Sequence, residues 1–444
     1  MGPPKASSFR KLSEDIQGRE GKKPDRKNPA ASHRRVKAQD QQRHQPDSAS
    51  VEDQTQIDVS DMIPITLQQL LLNVFRTALL SQDRNQNPDA EEKEKKEEEP
   101  LDIKSLIQTI KSHLYNRDFE SAFADADEKL LMAYALRWSA ARALGYAGLF
   151  KSLLKILVED DSALHPAHVV CIGGGAGAEI VALAAAWRNL MDDGVISGAQ
   201  KKLTGALEAV ALDGRKDAEG SEITGSMPRQ EQTVRHSERL PGLSITAVDI
   251  ADWSSVVKRL SSTIISPKVT GAKSHPAPLF PIATSSEDSA HSYHFNVDFR
   301  RLDVLTLSDS DLASLFCSSQ TNIVTFMFTL NELFSTSISK ATSLLLRTTD
   351  LLARDTILLV VDSPGSYSTL KLNKGKGEQQ ERQYPMKFLL HHTLLSVASG
   401  KWEKLYSQDS RWWRRDASRL WYDVGEGAKL EDMRFQVHIY RRLG

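Results

Sequence analysis

Three groups of residues in this sequence have types and spacings that suit chemistry. The first is Gly173, Gly174, Gly175 and Gly177, set between the apolar run His168–Ile172 and the helix-forming run Glu179–Trp187. A strand that turns through glycines into a helix leaves free N–H groups and a positive dipole end, which suit a carboxylate, hydroxyls or phosphates. Glycine belongs there because a Cβ would obstruct both the turn and a ligand's approach to the main chain. The second group is polar residues at the ends of later apolar runs: Asp249, Asp303, Asn331-Glu332 and Asp362. A carboxylate at a strand end can accept from both hydroxyls of a ribose, or take a proton. The third group is Ser410–Tyr422, where four arginines are interleaved with three tryptophans and a tyrosine. Arginines neutralise phosphates, and aromatic rings stack on unpaired bases.

The glycine stretch has two ligand readings. As Gly173-x-Gly175-x-x-Ala178 it fits a dinucleotide-binding fingerprint; as Gly173-x-Gly175-x-Gly177 it fits the first loop of class I S-adenosylmethionine (SAM) methyltransferases. A glycine turn that only packs is the third possibility. Asp249 serves as the ribose acid in either nucleotide reading, although it lies well beyond the usual ~20 residues from the glycines. Asp303 suits an adenine amino group, and equally a cap for its own turn. Asn331 ends an apolar run at the sheet edge where α/β proteins bind ligands.

These residues need elements to hold them. Periodicity predicts strands at His168–Ile172, Leu243–Ile250, His294–Phe299, Asn322–Glu332 and Thr356–Asp362, each of the first four followed by a helical or loop segment. Trp402–Tyr406 and Arg434–Arg442 alternate as a closing pair of strands, with the Arg/Trp stretch between them. Upstream, apolar spacing from Leu67 to Leu157 predicts helices, with Thr66 as an N-cap, Tyr134 and Trp138 in the core, and Arg137 and Arg142 on a solvated face, with contact to RNA as the alternative for the two arginines. The expected organisation is a disordered basic tail over 1–58, a helical subdomain over 59–160 carrying an acidic linker at 87–100, and an α/β domain over 161–444. That domain has polar insertions at about 192–242, 261–292 and 371–383, the last a flexible excursion. The tail's clusters Lys22–Lys27 and His33–Lys37 read as a solvated tail, an import signal or an RNA-binding arm.

Composition removes several function classes. The 444 residues carry a formal net charge of -1, so charge as a whole predicts no polyanion partner. Cys171 and Cys317 are the two cysteines, too few for a disulfide framework or a cysteine-based zinc site. His391 and His392 have no partner ligands in sequence view, and no metal is expected. No run of about 18 apolar residues predicts a membrane span, and Met1–Lys5 lacks the apolar core of a signal peptide. The reading is a cytosolic or nuclear protein.

Five strand–helix repeats closed by a strand pair suit a class I methyltransferase sheet. Only about 80 residues follow Asp362, too few for the second domain a dehydrogenase adds. The segments His168–Ile180, Thr246–Trp253, Thr325–Phe334, Leu358–Tyr367 and above all Ser410–Tyr422 resemble the fungal SAM-dependent methyltransferases of the large-subunit (25S) rRNA uridine-N3 type. The resemblance covers about 60–442 apart from the insertions. It implies a Rossmann-like seven-stranded sheet and SAM as cofactor. It also implies methyl transfer to N3 of a uridine during ribosome biogenesis, with large-subunit rRNA or a pre-ribosomal particle as partner and the nucleus or nucleolus, or also the cytoplasm, as location. One departure stands out: many class I enzymes carry an acid where this chain has Cys171. Loss of the N3 proton calls for a base, for which Glu332 and Asp362 are candidates. N3 lies on the pairing edge, so the base must be unpaired or flipped out. Tyr367 and Arg411, Trp412, Trp413, Arg414 and Arg415 are the expected RNA contacts. A protein or small-molecule acceptor, and a non-catalytic rRNA-binding assembly factor, are the alternatives.

Overall fold

The five predicted apolar runs form β1 (Ala167–Ile172), β2 (Gly242–Asp249), β3 (His294–Arg301), β4 (Thr321–Met327) and β5 (Ile357–Asp362), but the fourth stops at Met327, and Leu330–Glu332, expected as its end, open a helix instead. The closing pair is β8 (Trp402–Trp413) and β9 (Met433–Arg442). They make one seven-stranded sheet in the order β3-β2-β1-β4-β5-β9-β8. Strands β1 to β5 run parallel, and β9 enters antiparallel to both β5 and β8. Chain order reverses between β1 and β4, which opens a crevice at their carboxyl ends. The computed structural model describes residues 62–80, 101–116, 118–159, 167–196, 242–282, 293–316, 321–365, 367–374 and 378–444, all within a unit spanning 54–444.

Alternation along the strands divides the core in two. Val169, Cys171, Ile245, Ala247, Leu359 and Val361 face one side, with α1 (Ile65–Leu80), α4 (Ala140–Glu159), α5 (Ala178–Asp192) and α6 (Ser254–Ile264). Val170, Ile172, Val248, Val324, Phe326 and Val360 face the other, with α7 (Asp309–Leu315), α8 (Leu330–Thr336), α9 (Ile338–Leu351) and α10 (Met386–His391). A period of two puts neighbouring residues on opposite faces, so β1 reads as a continuous apolar run because both faces are covered. Helix α5 is buried almost all round, and its Ala182 and Ala184–Ala186 leave little between its backbone and its neighbours.

Several expectations change. The helices expected over 59–160 share their core with the sheet and wall the crevice: α2 (Ile103–Tyr115), the short α3 (Glu128–Tyr134) and α4 follow α1 on one face. Asp102 and Asp127 cap α2 and α3 by accepting from Ser105 N–H and Leu130 N–H. Thr66 is inside α1 rather than at its cap, and its hydroxyl bonds His275 at 2.6 Å. The segment expected as an insertion from 261 begins inside α6, and Val269, Leu279 and Phe280 after it are buried. Burial of those side chains holds a loop that has no periodicity of its own. The excursion at 371–383 lies within a two-stranded hairpin, β6 (Tyr367–Lys374) with β7 (Glu378–Pro385). Strand β8 continues to Trp413, so Ser410–Trp413 at the start of the Arg/Trp stretch is strand, not a connecting loop. The basic tail, the acidic linker and Cys317 lie outside the described residues, as do residues 197–241 and 283–292 of the two longer insertions.

Candidate active site

At the carboxyl ends of β1, β2 and β4 and the turn after β3 lies a cavity of about 380 Å³. Gly173, Asp249, Asp303, Phe328 and Glu332 line it from the sheet edge. Phe119, Phe123, Tyr134 and Arg142 close it from the N-terminal helices. Residues nearly 200 positions apart therefore share one wall.

The glycine loop works mainly by close packing. Gly173 has a positive φ of 79°, and a Cβ there would stand 2.1 Å from the Thr329 hydroxyl. A Cβ on Gly175 would stand 2.0 Å from the Trp253 ring, and its N–H donates to Asp249 Oδ2 at 3.2 Å. Gly174 and Gly177 face Glu179 and Leu260 respectively, and of the four only Gly173 lines the cavity. Asp249 also accepts from Ala251 N–H through Oδ1 at 3.2 Å. Asp303 lines the cavity, and its Oδ1 caps its own turn by accepting from Leu305 N–H at 2.9 Å.

The two candidate bases separate. Glu332 lines the cavity, while Asp362 is buried beneath it and does not. Asp362 Oδ2 accepts from Asn331 N–H at 2.9 Å and Oδ1 from Ser363 N–H at 2.7 Å. Asn331 likewise lines no part of the cavity, and its Oδ1 is buried without a partner. Burial, and then the neighbouring Asp362, push the Glu332 carboxyl up to about 8, with Arg142 opposing. Burial pushes Asp362 up to about 6 against the pull of its two N–H donors. Asp362 and Asn331 thus fix the first turn of α8, and that turn carries Glu332 to the wall.

The acid missing from β1 arrives from elsewhere. Glu179, in the first turn of α5, is buried with Oε1 accepting from the Thr325 hydroxyl at 2.5 Å. Its carboxylate lies under the glycine loop beside Cys171, and burial raises it to about 7. Phe328 is also unusual. It is a bulky residue at φ 60°, a sparsely populated region that persists only when its surroundings enforce it. Its N–H donates to Val361 O at 2.7 Å, and the Arg142 guanidinium lies 4.7 Å from its ring.

The solvated face expected for Arg137 and Arg142 is not there. Arg137 is buried, donating to Lys429 O and paired with Glu431. Arg142 lines the cavity. Ser139–Phe150 is otherwise free of charge, and a solvated helix face carries more than one charged residue in three turns. That was the available signal. Phe328, Tyr134 and Trp253 had none, since aromatic residues usually belong to a core.

Strand β8 runs parallel to β5, so its carboxyl end reaches the same sheet edge as the cavity. Gln436 pairs with Asp362, whereas Met433 pairs with Trp413, so the β8–β9 ladder extends past β5. Trp412 is 52% exposed, with Arg414 and Arg434 guanidinium groups 5.0 and 5.8 Å from its ring. Trp413, expected to touch RNA, turns inward at 8% exposure, because successive strand residues point to opposite faces. Arg411 and Arg414 line a second cavity of about 260 Å³ beside α4. Arg415 donates its N–H to Asp432, and Tyr367 stands exposed at the start of β6.

A family model described as SAM-dependent methyltransferase matches residues 86–441. The chain belongs to that family. This methyltransferase is also 31% identical to the 25S rRNA (uridine(2843)-N(3))-methyltransferase of Saccharomyces cerevisiae, over 75% of this chain and 76% of the relative. Among solved structures it is similar to a SAM-dependent methyltransferase of Methanosarcina mazei, at 10% identity and TM-score 0.30, covering 65% of this chain and 97% of that one. It is similar too to the magnesium protoporphyrin IX methyltransferase of Synechocystis, at 9% identity and TM-score 0.29, covering 78% and 99%. Those two likenesses are too distant to carry an argument.

The methyltransferase's cavity fits SAM, the family's cofactor. Asp249 stands at the end of β2, where a ribose acid is expected, and bonds back to the loop at Gly175. The loop brings bare backbone at Gly173 to the wall. Among the described residues no group of three or more His, Cys, Asp or Glu side chains is placed to hold a metal ion. Among them, no helix is long and apolar enough to cross a membrane.

Proposed function

We propose that this methyltransferase modifies N3 of a uridine in large-subunit rRNA during ribosome biogenesis, acting on rRNA or a pre-ribosomal particle in the nucleus or nucleolus. The observation that carries the reading is a juxtaposition. A cavity with a half-buried carboxyl in its wall shares one sheet edge with an exposed tryptophan flanked by two guanidinium groups. The activity named for the yeast relative agrees with it.

SAM supplies a methyl group made electrophilic by its sulfonium centre, so the protein's task is positioning and proton removal. Glu332 takes the proton that the uracil N3 loses. Its raised pKa suits the role, because a general base works best with a pKa near the operating pH. Asp362 and Asn331 are positioning residues that set α8. Asp249 accepts from the ribose hydroxyls and Asp303 from the adenine. Outside the cavity, Trp412 stacks on an unpaired base while Arg411, Arg414 and Arg415 follow the phosphates. Tyr367, on the hairpin that leaves the same edge, is a second stacking group.

The test is transfer of labelled methyl from SAM to fragments of large-subunit rRNA, with the modified base identified by mass spectrometry. N3-methyluridine in one fragment is the expected product. Methyl incorporation into protein or small molecules but never RNA would overturn the acceptor. SAM binding without transfer to any acceptor would leave an assembly factor.

A further inference from the structure

The cofactor cavity contains a single cation among its lining residues, and no carboxylate among the described residues forms an ion pair with it. Arg142 reaches the wall from α4, and its Nη1 donates to the Tyr134 hydroxyl at 2.7 Å. Its guanidinium is further held against the rings of Phe328 and Tyr134. Among the described residues it makes no ion pair. A partly desolvated charge without an ion-pair partner is costly, and a ligand that supplies the partner relieves that cost.

We propose that Arg142, oriented by Tyr134, is the anchor for the carboxylate at the amino-acid end of SAM. The position fits the rest of the cavity. Asp249 and Asp303 mark the nucleoside end, near β2 and β3. The Arg142 guanidinium lies on the β4 side, over Phe328. A ligand whose ribose meets Asp249 points its far end towards β4, where its terminal carboxylate meets a planar fork of donors. The wall's acids do not compete. Asp249 accepts from two backbone N–H groups, Asp303 caps a turn, and among the described residues neither Glu120 nor Glu332 forms an ion pair with Arg142. An RNA phosphate is the weaker candidate, because a lone cation beside four acidic side chains makes a poor site for a nucleic acid backbone.

The proposal rests on SAM being the cofactor, and calorimetry on the full chain tests the two separately. SAM is compared with decarboxylated SAM, which lacks only the carboxylate. Wild-type protein should prefer SAM by about 30-fold, the range of a hydrogen bond to a charged group. In Arg142→Met, SAM should weaken by about 30-fold while decarboxylated SAM changes less than about threefold, so the preference disappears. Arg142→Lys keeps the charge without the fork and should restore about a third of the loss on a logarithmic scale. An unchanged preference in Arg142→Met overturns the proposal, because the carboxylate is then held elsewhere. Parallel weakening of both ligands in both variants also overturns it, since Arg142 then only shapes the cavity. Wild-type protein that binds neither ligand fails the cofactor assignment itself, and the proposal with it.

Discussion

The cofactor cavity and the Arg/Trp end of β8 share one edge of one sheet and are built in opposite ways. The cavity draws on residues from Phe119 to Thr336, and its titratable groups are buried among one another. Glu332, Glu179 and Asp362 are all displaced upward, with burial as the leading cause. The β8 end is a single run of sequence whose charges meet water. Its ion pairs, Arg414 with Asp432 and Arg419 with Asp416, are exposed on the arginine side and stabilise little. The difference teaches where each region gets its chemistry. The cavity changes what a side chain is, whereas the strand end only changes what it stands next to.

The sharpest break in that comparison is Glu332→Gln. If Glu332 takes the proton, kcat falls by a factor of about 10² to 10⁴. The Kd for SAM, read by calorimetry, should stay within about threefold. In the wild type, single-turnover rates should rise with pH until Glu332 is ionised, at about 8. An equal loss in SAM affinity would mean that the cavity wall has been rebuilt instead.

Two neighbouring tryptophans separate burial from recognition next. Trp413→Ala should cost about 3–5 kcal/mol of stability, the usual effect of deleting a buried aromatic, seen as a lower denaturation midpoint. Trp412→Ala should leave that midpoint within about 0.5 kcal/mol. It should weaken RNA binding by about 1–3 kcal/mol, the cost of one lost base stack. Equal effects at the two positions would dissolve the distinction.

The buried carboxyls also predict a pH dependence. Glu332 and Glu179 hold their protons more tightly folded than unfolded. Below the ordinary carboxylate range both states are protonated and the groups cost nothing. Above it the unfolded chain ionises freely while the folded cavity resists, so stability falls as pH rises towards about 8. The Tm of ligand-free protein should therefore drop by a few degrees from about pH 5 to 8, and the drop should be smaller in Glu332→Gln. A flat profile in the wild type would mean that water reaches these groups. The smallest effect belongs to the exposed end. Arg414→Ala should reduce the slope of log affinity for RNA against log salt by about 1, read from binding titrations.

Much of the frame was legible in the sequence because it follows from local pattern. The runs ending at Ile172 and Asp362 are almost wholly apolar and those ending at Asp249 and Met327 mostly so, as strands covered on both faces require. The glycine turn and Asp249 at the end of β2 stand out for the same reason, since their types answer local demands of backbone and charge. Trp412 and Trp413 show the limit of that reading. As letters they are equal, yet the pleat turns one outward to 52% exposure and the other inward to 8%.

By itself, then, the sequence determined the order of the seven strands of the main sheet, the glycine loop between β1 and α5, and a contiguous Arg/Trp segment. The tertiary structure alone decided which charges would be chemically altered. Arg142 is an ordinary helix residue until α4 lies over the cavity, and Glu332 an ordinary surface acid until Asp362 fixes the first turn of α8 beneath it. Glu179 reaches Cys171 on β1 only because the turn at Gly174 folds its helix back towards that strand. The physical reason is that desolvation and the lack or presence of a counter-charge are properties of position, set by contacts between distant segments, and no residue carries them alone.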